Sequence, residues 1–436
     1  MTMKILDYKN LKLSEIKKYQ EIDAETLKKV SLIIEEVRKR GDAALFKFSN
    51  IYDRCRIDRL KIDPNKEGPS DQIVREAFKN ALNIAFNNIK QVAKKQFQAL
   101  QVANGIKIQS DQGIVIRQKL IPINRVGIYV PSGRYPLFSS LYMAAIPAKV
   151  SGVKEIVVCT PPNARGKIQD EIIYVANKLG LKELYAVGGA QAIAAMAYGT
   201  ETIKPVDKIV GPGNIYVAAA KKLVFGRVGI DFLAGPTELL IIADDTAQPE
   251  KVAADLLAQA EHDVLARSML ITFSKSMAEK VREALRKQLC KLPTAAVATK
   301  SIQKNGLIII CQHAQEAADL ANEIAPEHLS LFLKYPQRFI NELHNYGCLF
   351  IGESSAEVFG DYCAGTNHIL PTNGAAKYTG GLSVVDFLKF TTSLEIMNTG
   401  ADKIIKPTII LAKREGLTGH AKSAECRSSQ HSKNPK

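Results

Sequence analysis

The sequence predicts an α/β protein with mainly parallel sheets, and three observations carry that reading. From about residue 105, short runs rich in β-branched and aliphatic residues alternate with helical segments. The runs are apolar along their length, as strands covered on both faces are. There are also enough of them to build two layered units.

The first hundred residues read differently, as helices. Leu27, Val30, Ile33, Ile34 and Val37 recur at helical spacing over Ala24 to Arg40, and Gly41 follows as a C-cap. A longer helix is expected after Ser70, an N-cap behind Pro69. Its packing face is Phe78, Leu82, Phe86, Ile89, Val92 and Leu100, with Lys79, Lys90, Lys94 and Lys95 on a solvated face. Strands are expected at Ile114–Ile116, Gly127–Val130, Ile156–Cys159, Leu184–Val187, Lys208–Val210 and Leu239–Ala243. The series continues at Met269–Phe273, Leu307–Cys311, Leu329–Leu333 and Cys348–Gly352, with helices at Gln169–Leu179, Ala190–Tyr198 and Pro249–Glu261 among them. After His420 the chain is rich in Lys, Ser and Gln, and disorder is expected there.

Composition narrows the function classes. A chain of 436 residues with 46% hydrophobic and 24% charged residues has core enough to fold without disulfides or structural metals. Its apolar runs are too short to cross a bilayer, and the first ten residues lack the apolar stretch of a secretory signal. Seven scattered cysteines without a C-x-x-C pair read as reduced thiols, hence a cytoplasmic protein. Against 44 Asp plus Glu stand 59 Lys plus Arg, a formal charge of +15. Clustered basic residues would favour nucleic acid, but these are scattered and not interleaved with aromatics.

Four clusters can carry chemistry. Gln259 and His262 lie one turn apart at the end of the helix opened by Pro249, a spacing compatible with a metal, although an amide is an uncommon zinc ligand. Glu327 and His328 place a carboxylate beside an imidazole at an element edge, two bases of different pKa. The glycine-flanked segment Gly360 to His368 offers Asp361 as a hard oxygen ligand and His368 as a base or donor; Cys363 reads as a small buried thiol. Glu415 and His420 close the folded chain, either as solvent-facing residues or as a segment reaching into a site, its own or another subunit's. Glycine turns at Gly188-Gly189-Ala190-Gln191 and Gly211-Pro212-Gly213-Asn214 follow strands and precede helices, where backbone N–H groups can face a phosphate. Neither completes G-x-G-x-x-G, and there is no H-E-x-x-H, G-x-S-x-G or Walker loop. His313, His344 and His431 have no such company and are read as structural.

Taken together, these segments resemble the L-histidinol dehydrogenase family, from about residue 24 to His420. The likeness runs through Val126–Pro131, Ala145–Val150, Val187–Ala192, Lys208–Asn214, Ala234–Glu238, Gln259–Asp263, Ala325–Leu329, Asp361–Pro371 and Gly381–Val384. It implies two Rossmann-like α/β domains with mainly parallel sheets, a helical N-terminal region (1–105) and a small C-terminal tail (381–436, disordered after about 421). The first α/β domain, 106–129 with 239–380, would hold the metal and catalytic residues; the second, 130–238, would hold NAD.

The activity implied is oxidation of L-histidinol to L-histidine through the aldehyde, with NAD and one zinc ion per subunit. On this resemblance the zinc ligands are Gln259, His262, Asp361 and His420. The acid/base residues are Glu327 and His328. Substrate contacts are Thr237, Gln259, His262, His328, Asp361, Glu415 and His420, and NAD contacts are Tyr129, Gln191 and Asn214. The resemblance also implies a homodimer in which Glu415 and His420 act in trans, with neither nucleic acid nor membrane as a partner. Thr237 stands where the family usually has Ser, and the segment after His420 does not look like the family's helical ending. Two rival classes stay open on residues alone: a zinc hydrolase, which His, Asp and Glu clusters equally suit, and a basic nucleic-acid-binding protein.

Overall fold

Strands as apolar as Leu239–Ala243 are stable only where helices cover both sheet faces, and the topology supplies that cover twice. The computed structural model describes residues 3–16, 21–69, 74–101, 105–109, 113–132 and 135–428. The chain forms two compact units, Met1–Lys94 with Ile123–Phe387, and Lys95–Pro122 with Leu388–Lys436.

The larger unit holds two six-stranded sheets. The first is ordered Lys4–Asp7, Leu307–Ile310, Arg267–Thr272, Glu238–Ala243, His328–Phe332, Cys348–Ile351, and all its pairings are parallel. Helices Pro249–Ala260, Lys275–Leu289 and Ala295–Asn305 cover one face, and Ala314–Ile324 the other. The second is ordered Lys61–Ile62, Glu183–Ala186, Glu155–Thr160, Arg125–Tyr129, Lys208–Val210, Gly229–Ile230, with only the first pairing antiparallel. Helices Phe138–Val150 and Asp170–Lys178 lie on one face of it, Gly189–Tyr198 and Ile215–Val224 on the other.

Setting aside the added edge strand, each sheet runs third, second, first, fourth, fifth along its own chain order. This is the doubly wound arrangement, in which the direction of winding reverses between the first and fourth strands. The reversal falls between Glu238–Ala243 and His328–Phe332 in the first sheet, and between Arg125–Tyr129 and Lys208–Val210 in the second.

Several boundaries differ from the sequence reading. Arg125–Tyr129 is a central strand of the second sheet, not a partner of 239–380. Ile106–Gln109 and Ile114–Pro122 join Leu388–Ile396 in a three-stranded antiparallel sheet in the smaller unit. Their exposure explains the difference: in Ile114–Pro122 only Val115 is buried, so this is no core strand. The N-terminal region is not wholly helical either, since Lys4–Asp7 and Lys61–Ile62 supply the edge strands.

Gly41 does leave helical geometry, at φ 51° and ψ −130°, but a further helical stretch continues to Phe48. Ser70 lies outside the described residues; the helix there spans Glu76–Gln101 and buries Leu82, Ala85, Ile89 and Ala93, while Val92 is 40% exposed. No described helix is long and apolar enough to cross a membrane.

The expected disorder after about residue 421 is corrected for the described part of the tail. Thr418–Glu425 is a helix packed on Asn398–Arg414, with Ala421 buried and Lys413 paired to Glu425 at 3.4 Å. One small buried side chain anchors an otherwise polar segment. Ala421→Asp is therefore expected to release this helix, making the 421–425 amides exchange at least about tenfold faster by hydrogen–deuterium mass spectrometry.

Candidate active site

Open doubly wound sheets present ligands at the carboxyl ends of their strands. The first sheet departs from that habit. Thr237 immediately precedes the strand Glu238–Ala243, and Glu327 immediately precedes His328–Phe332, so both sit at amino ends beside the winding reversal. Leu239 pairs with His328, which brings the entries of the two strands side by side. Gln259 and His262 arrive at the same edge because the helix Pro249–Ala260 runs back from the carboxyl edge. Glu357–Tyr362 is another short helix, and it adds Glu357 and Asp361 one turn apart.

Glu327 is buried, and its Oε2 accepts from Thr237 Oγ1 at 2.5 Å and from the Glu238 backbone N–H at 2.9 Å. Burial disfavours its charge and raises its pKa to about 7, although His328 and the two donors pull the other way. His328 is buried beside it. Its Nδ1 lies 3.2 Å from the Glu238 carbonyl, to which an Nδ1–H donates, so in the neutral ring Nε2 keeps the lone pair. Nε2 is buried without a hydrogen-bond partner, 3.6 Å from Asp361 Oδ1. Burial opposes the imidazolium, but Glu327, Asp361 and Glu357 outweigh it and raise the pKa to about 10. Asp361, burial notwithstanding, is held low by His328, His368 and His262.

Ligand atoms of His262, Glu357 and Asp361 lie within 4.8 Å of one another. His262 is at the exposed rim, where desolvation lowers its pKa and favours the neutral, ligating form. Glu357 is buried with Oε2 unpartnered, and burial raises its pKa to about 8. Asp255, one turn before Gln259 on the same helix, is also buried with an unpartnered Oδ2, and desolvation raises it to about 6.

The Gln259 carboxamide is satisfied in the orientation in which Nε2 donates to Glu357 Oε1 at 3.2 Å, while Oε1 accepts from the Glu238 N–H at 2.9 Å and the Thr237 hydroxyl at 2.7 Å. The opposite orientation would set the amide oxygen against the Glu357 carboxylate and the amide nitrogen against the Glu238 N–H. Amide oxygen, imidazole and carboxylates together fit a divalent cation such as zinc.

At the second sheet the usual carboxyl edge is the candidate ligand edge. Tyr129 ends one strand at the reversal, and the Gly211–Asn214 turn leaves the adjacent one. The Gly189 N–H donates to the Tyr129 hydroxyl at 3.0 Å, buried Gln191 lies in the first turn of the helix Gly189–Tyr198, and Asn214 caps Ile215–Val224 by accepting from the Tyr216 and Val217 N–H groups. Two glycine turns and two helix N-termini lie at one sheet edge, an arrangement that fits a dinucleotide. His368 ties the two sheets together. Its Nδ1–H donates to the Asp361 carbonyl at 2.8 Å, and its Nε2 accepts from Ser140 Oγ at 3.2 Å.

Comparison with known proteins gives this geometry a family. The histidinol dehydrogenase family model matches residues 16–428. The chain belongs to the histidinol dehydrogenase family. The histidinol dehydrogenase of Listeria monocytogenes is 46% identical over 399 residues, covering 91% of this chain and 92% of that protein. The one from Methanothermobacter thermautotrophicus is 41% identical over 424 residues, 97% of this chain and 98% of its own. The crystal structure of histidinol dehydrogenase from Elizabethkingia anophelis superposes with a TM-score of 0.88 at 34% identity, covering 98% of both chains.

Of the residues singled out in the sequence, the larger unit brings together Thr237, Gln259, His262, Glu327, His328 and Asp361, and sets Tyr129, Gln191 and Asn214 at the second sheet's edge. Glu415 and His420 belong to the smaller unit. There Glu415 ends the helix Asn398–Arg414, and His420 lines an open cavity of about 520 Å³ with Ile396, Ile404, Thr408 and Gly419. His313 caps the helix Ala314–Ile324, in keeping with a structural role.

Sequence reasoning passed over Glu357, although its spacing of four from Asp361 was a usable signal. Ser140 carried no signal, because only the fold brings it to His368. Removing the Thr237 hydroxyl takes a donor from the ionised Glu327, so Thr237→Val is expected to raise the Glu327 pKa above about 7. Infrared titration of carboxyl-labelled protein reads this directly, and a value unchanged or lowered contradicts the assignment.

Proposed function

We propose that this chain oxidises L-histidinol to L-histidine by way of L-histidinaldehyde, the final step of L-histidine biosynthesis. The observation that carries the reading is the buried Glu327–His328 pair facing a cluster of metal-type donors, in a chain of the histidinol dehydrogenase family. NAD would be held by Tyr129, Gln191 and Asn214 and would supply the hydride acceptor for each of two oxidations. Zinc would be held by Gln259, His262, Asp361 and His420 and would supply a template for the substrate's imidazole and amine.

His328 Nε2 would take the carbinol proton as the carbinol carbon gives up its hydride to bound NAD, leaving an aldehyde. Its Nδ1 contact with the Glu238 carbonyl keeps Nε2 as the accepting atom. A cation held by Asp361 would weaken that carboxylate's hold on the imidazolium and leave His328 a neutral base. Glu327, with a pKa raised to about 7, draws a proton from water as the oxygen adds to the aldehyde, while the His328 imidazolium returns the carbinol proton to the former carbonyl oxygen and becomes neutral again. His328 would then take a hydroxyl proton from the resulting gem-diol as its carbon gives up the second hydride to a second bound NAD, leaving the acid. Thr237 and the Glu238 N–H hold the Glu327 carboxylate throughout. Glu415 and His420 complete the substrate and metal contacts from a second copy of the chain, which makes the working unit a homodimer.

The test is the reaction itself. L-Histidinol and NAD should give an absorbance rise from reduced nicotinamide that chelation abolishes and zinc restores; folded, zinc-loaded protein without that rise overturns the proposal. His328→Gln is expected to lower kcat by about 10² to 10⁴ while zinc content by atomic emission stays at the wild-type level. Loss of the metal in that variant would mean His328 is a ligand rather than a base.

A further inference from the structure

The Gly211–Asn214 turn is held by a charge pair that no proposed ligand contact explains. Lys221 and Asp231 form an ion pair with side chains 3% and 0% exposed. Two charges taken so fully from water are retained only where hydrogen bonds satisfy them, and both make theirs to a single residue. Gly211 N–H donates to Asp231 Oδ2 at 2.8 Å, and Lys221 Nζ donates to the Gly211 carbonyl at 3.0 Å. Both backbone polar groups of one glycine are thus pinned by opposite charges that neutralise each other.

The pinned residue has no slack on its other side. Gly211 sits at φ 116°, and a Cβ there would come within 2.2 Å of the Tyr129 carbonyl oxygen. The turn is therefore wedged between the strand that carries Tyr129 and the Lys221–Asp231 pair. Lys221 lies on the helix Ile215–Val224 that Asn214 caps, and Asp231 follows the strand Gly229–Ile230. The pair joins three elements at the carboxyl edge: the fourth strand's turn, its helix and the end of the fifth strand.

We infer that Lys221 and Asp231 are positioning residues for the dinucleotide, fixing the Gly211–Asn214 turn at the spacing from Tyr129 that the cofactor requires. The inference rests on the NAD reading of this edge. Buried as it is, the Lys221 ammonium acts through Gly211 and not by pairing with phosphate. A rigid turn binds without first being ordered, and misplacement of a binding segment by an ångström is enough to weaken its ligand strongly.

The experiment neutralises both partners at once, since a lone buried charge can unfold the region. Lys221→Met combined with Asp231→Asn is expected to raise the KM for NAD about tenfold or more. The KM for L-histidinol, the zinc content and kcat at saturating NAD should stay at their wild-type values. A folded double variant with an unchanged KM for NAD overturns the inference, as does one in which both KM values rise together with a fall in Tm. Should the double variant be insoluble, Asp231→Asn alone is held to the same split between the two KM values. Calorimetric titration of wild-type protein with NAD separates the two levels of the argument: no binding there refutes the NAD reading itself, whereas binding by wild type and variant alike refutes only the clamp.

Discussion

A carboxylate buried at the start of a parallel strand, gripped by one hydroxyl and one backbone N–H, is the constraint around which the site is arranged. Among the described residues Glu327 has Thr237 and the Glu238 N–H as donors, and the Thr237 hydroxyl has a single proton to give. The Gln259 amide oxygen lies 2.7 Å from that hydroxyl, so amide and carboxylate compete for one proton. Base and metal donors therefore share one hydrogen-bond chain. The same low-dielectric setting that lifts Glu327 and Glu357 makes each missing partner expensive.

The architecture explains how so many ionisable groups come to share one place. Parallel winding places strand entries adjacent at the reversal, and the returning helices deliver Gln259, His262, Glu357 and Asp361 to that edge. A second ion pair, Arg267 with Glu238 at 3.0 Å, is buried beneath it and links the entries of the two neighbouring strands. The second sheet, with identical strand order, uses its opposite edge for the proposed cofactor. His368, bonded at once to Asp361 and Ser140, couples the two.

The sequence made the central strands legible because each is a short apolar run with a turn residue at its end, and periodicity cannot mistake Leu239–Ala243 for a surface element. Gln259 with His262, and Glu327 with His328, were visible as local pairs. What stayed hidden was set by long-range contact. Nothing near Arg125–Tyr129 tells which of two sheets it joins, since sheet membership is decided by partners such as Glu155–Thr160 and Lys208–Val210. The tail misled because its polarity masked the one residue that packs, Ala421. Lys221 and Asp231 look like ordinary surface charges in the chain, and only burial distinguishes them.

The opposed use of the two sheets leaves one rim without chemistry. At the carboxyl edge of the first sheet, the turns at 244–248, 273–274 and 333–336 carry none of the acid, base or metal-type donors, all of which face the other way. Asp244 there joins two of these turns, accepting from the Thr246 and Lys334 N–H groups. Insertions at such a rim would leave the acid, base and metal-type donors untouched. For protein engineering it is the natural place for a fluorophore, an affinity tag or a fused domain, because a lengthened loop there adds little closure entropy and leaves the strand entries undisturbed.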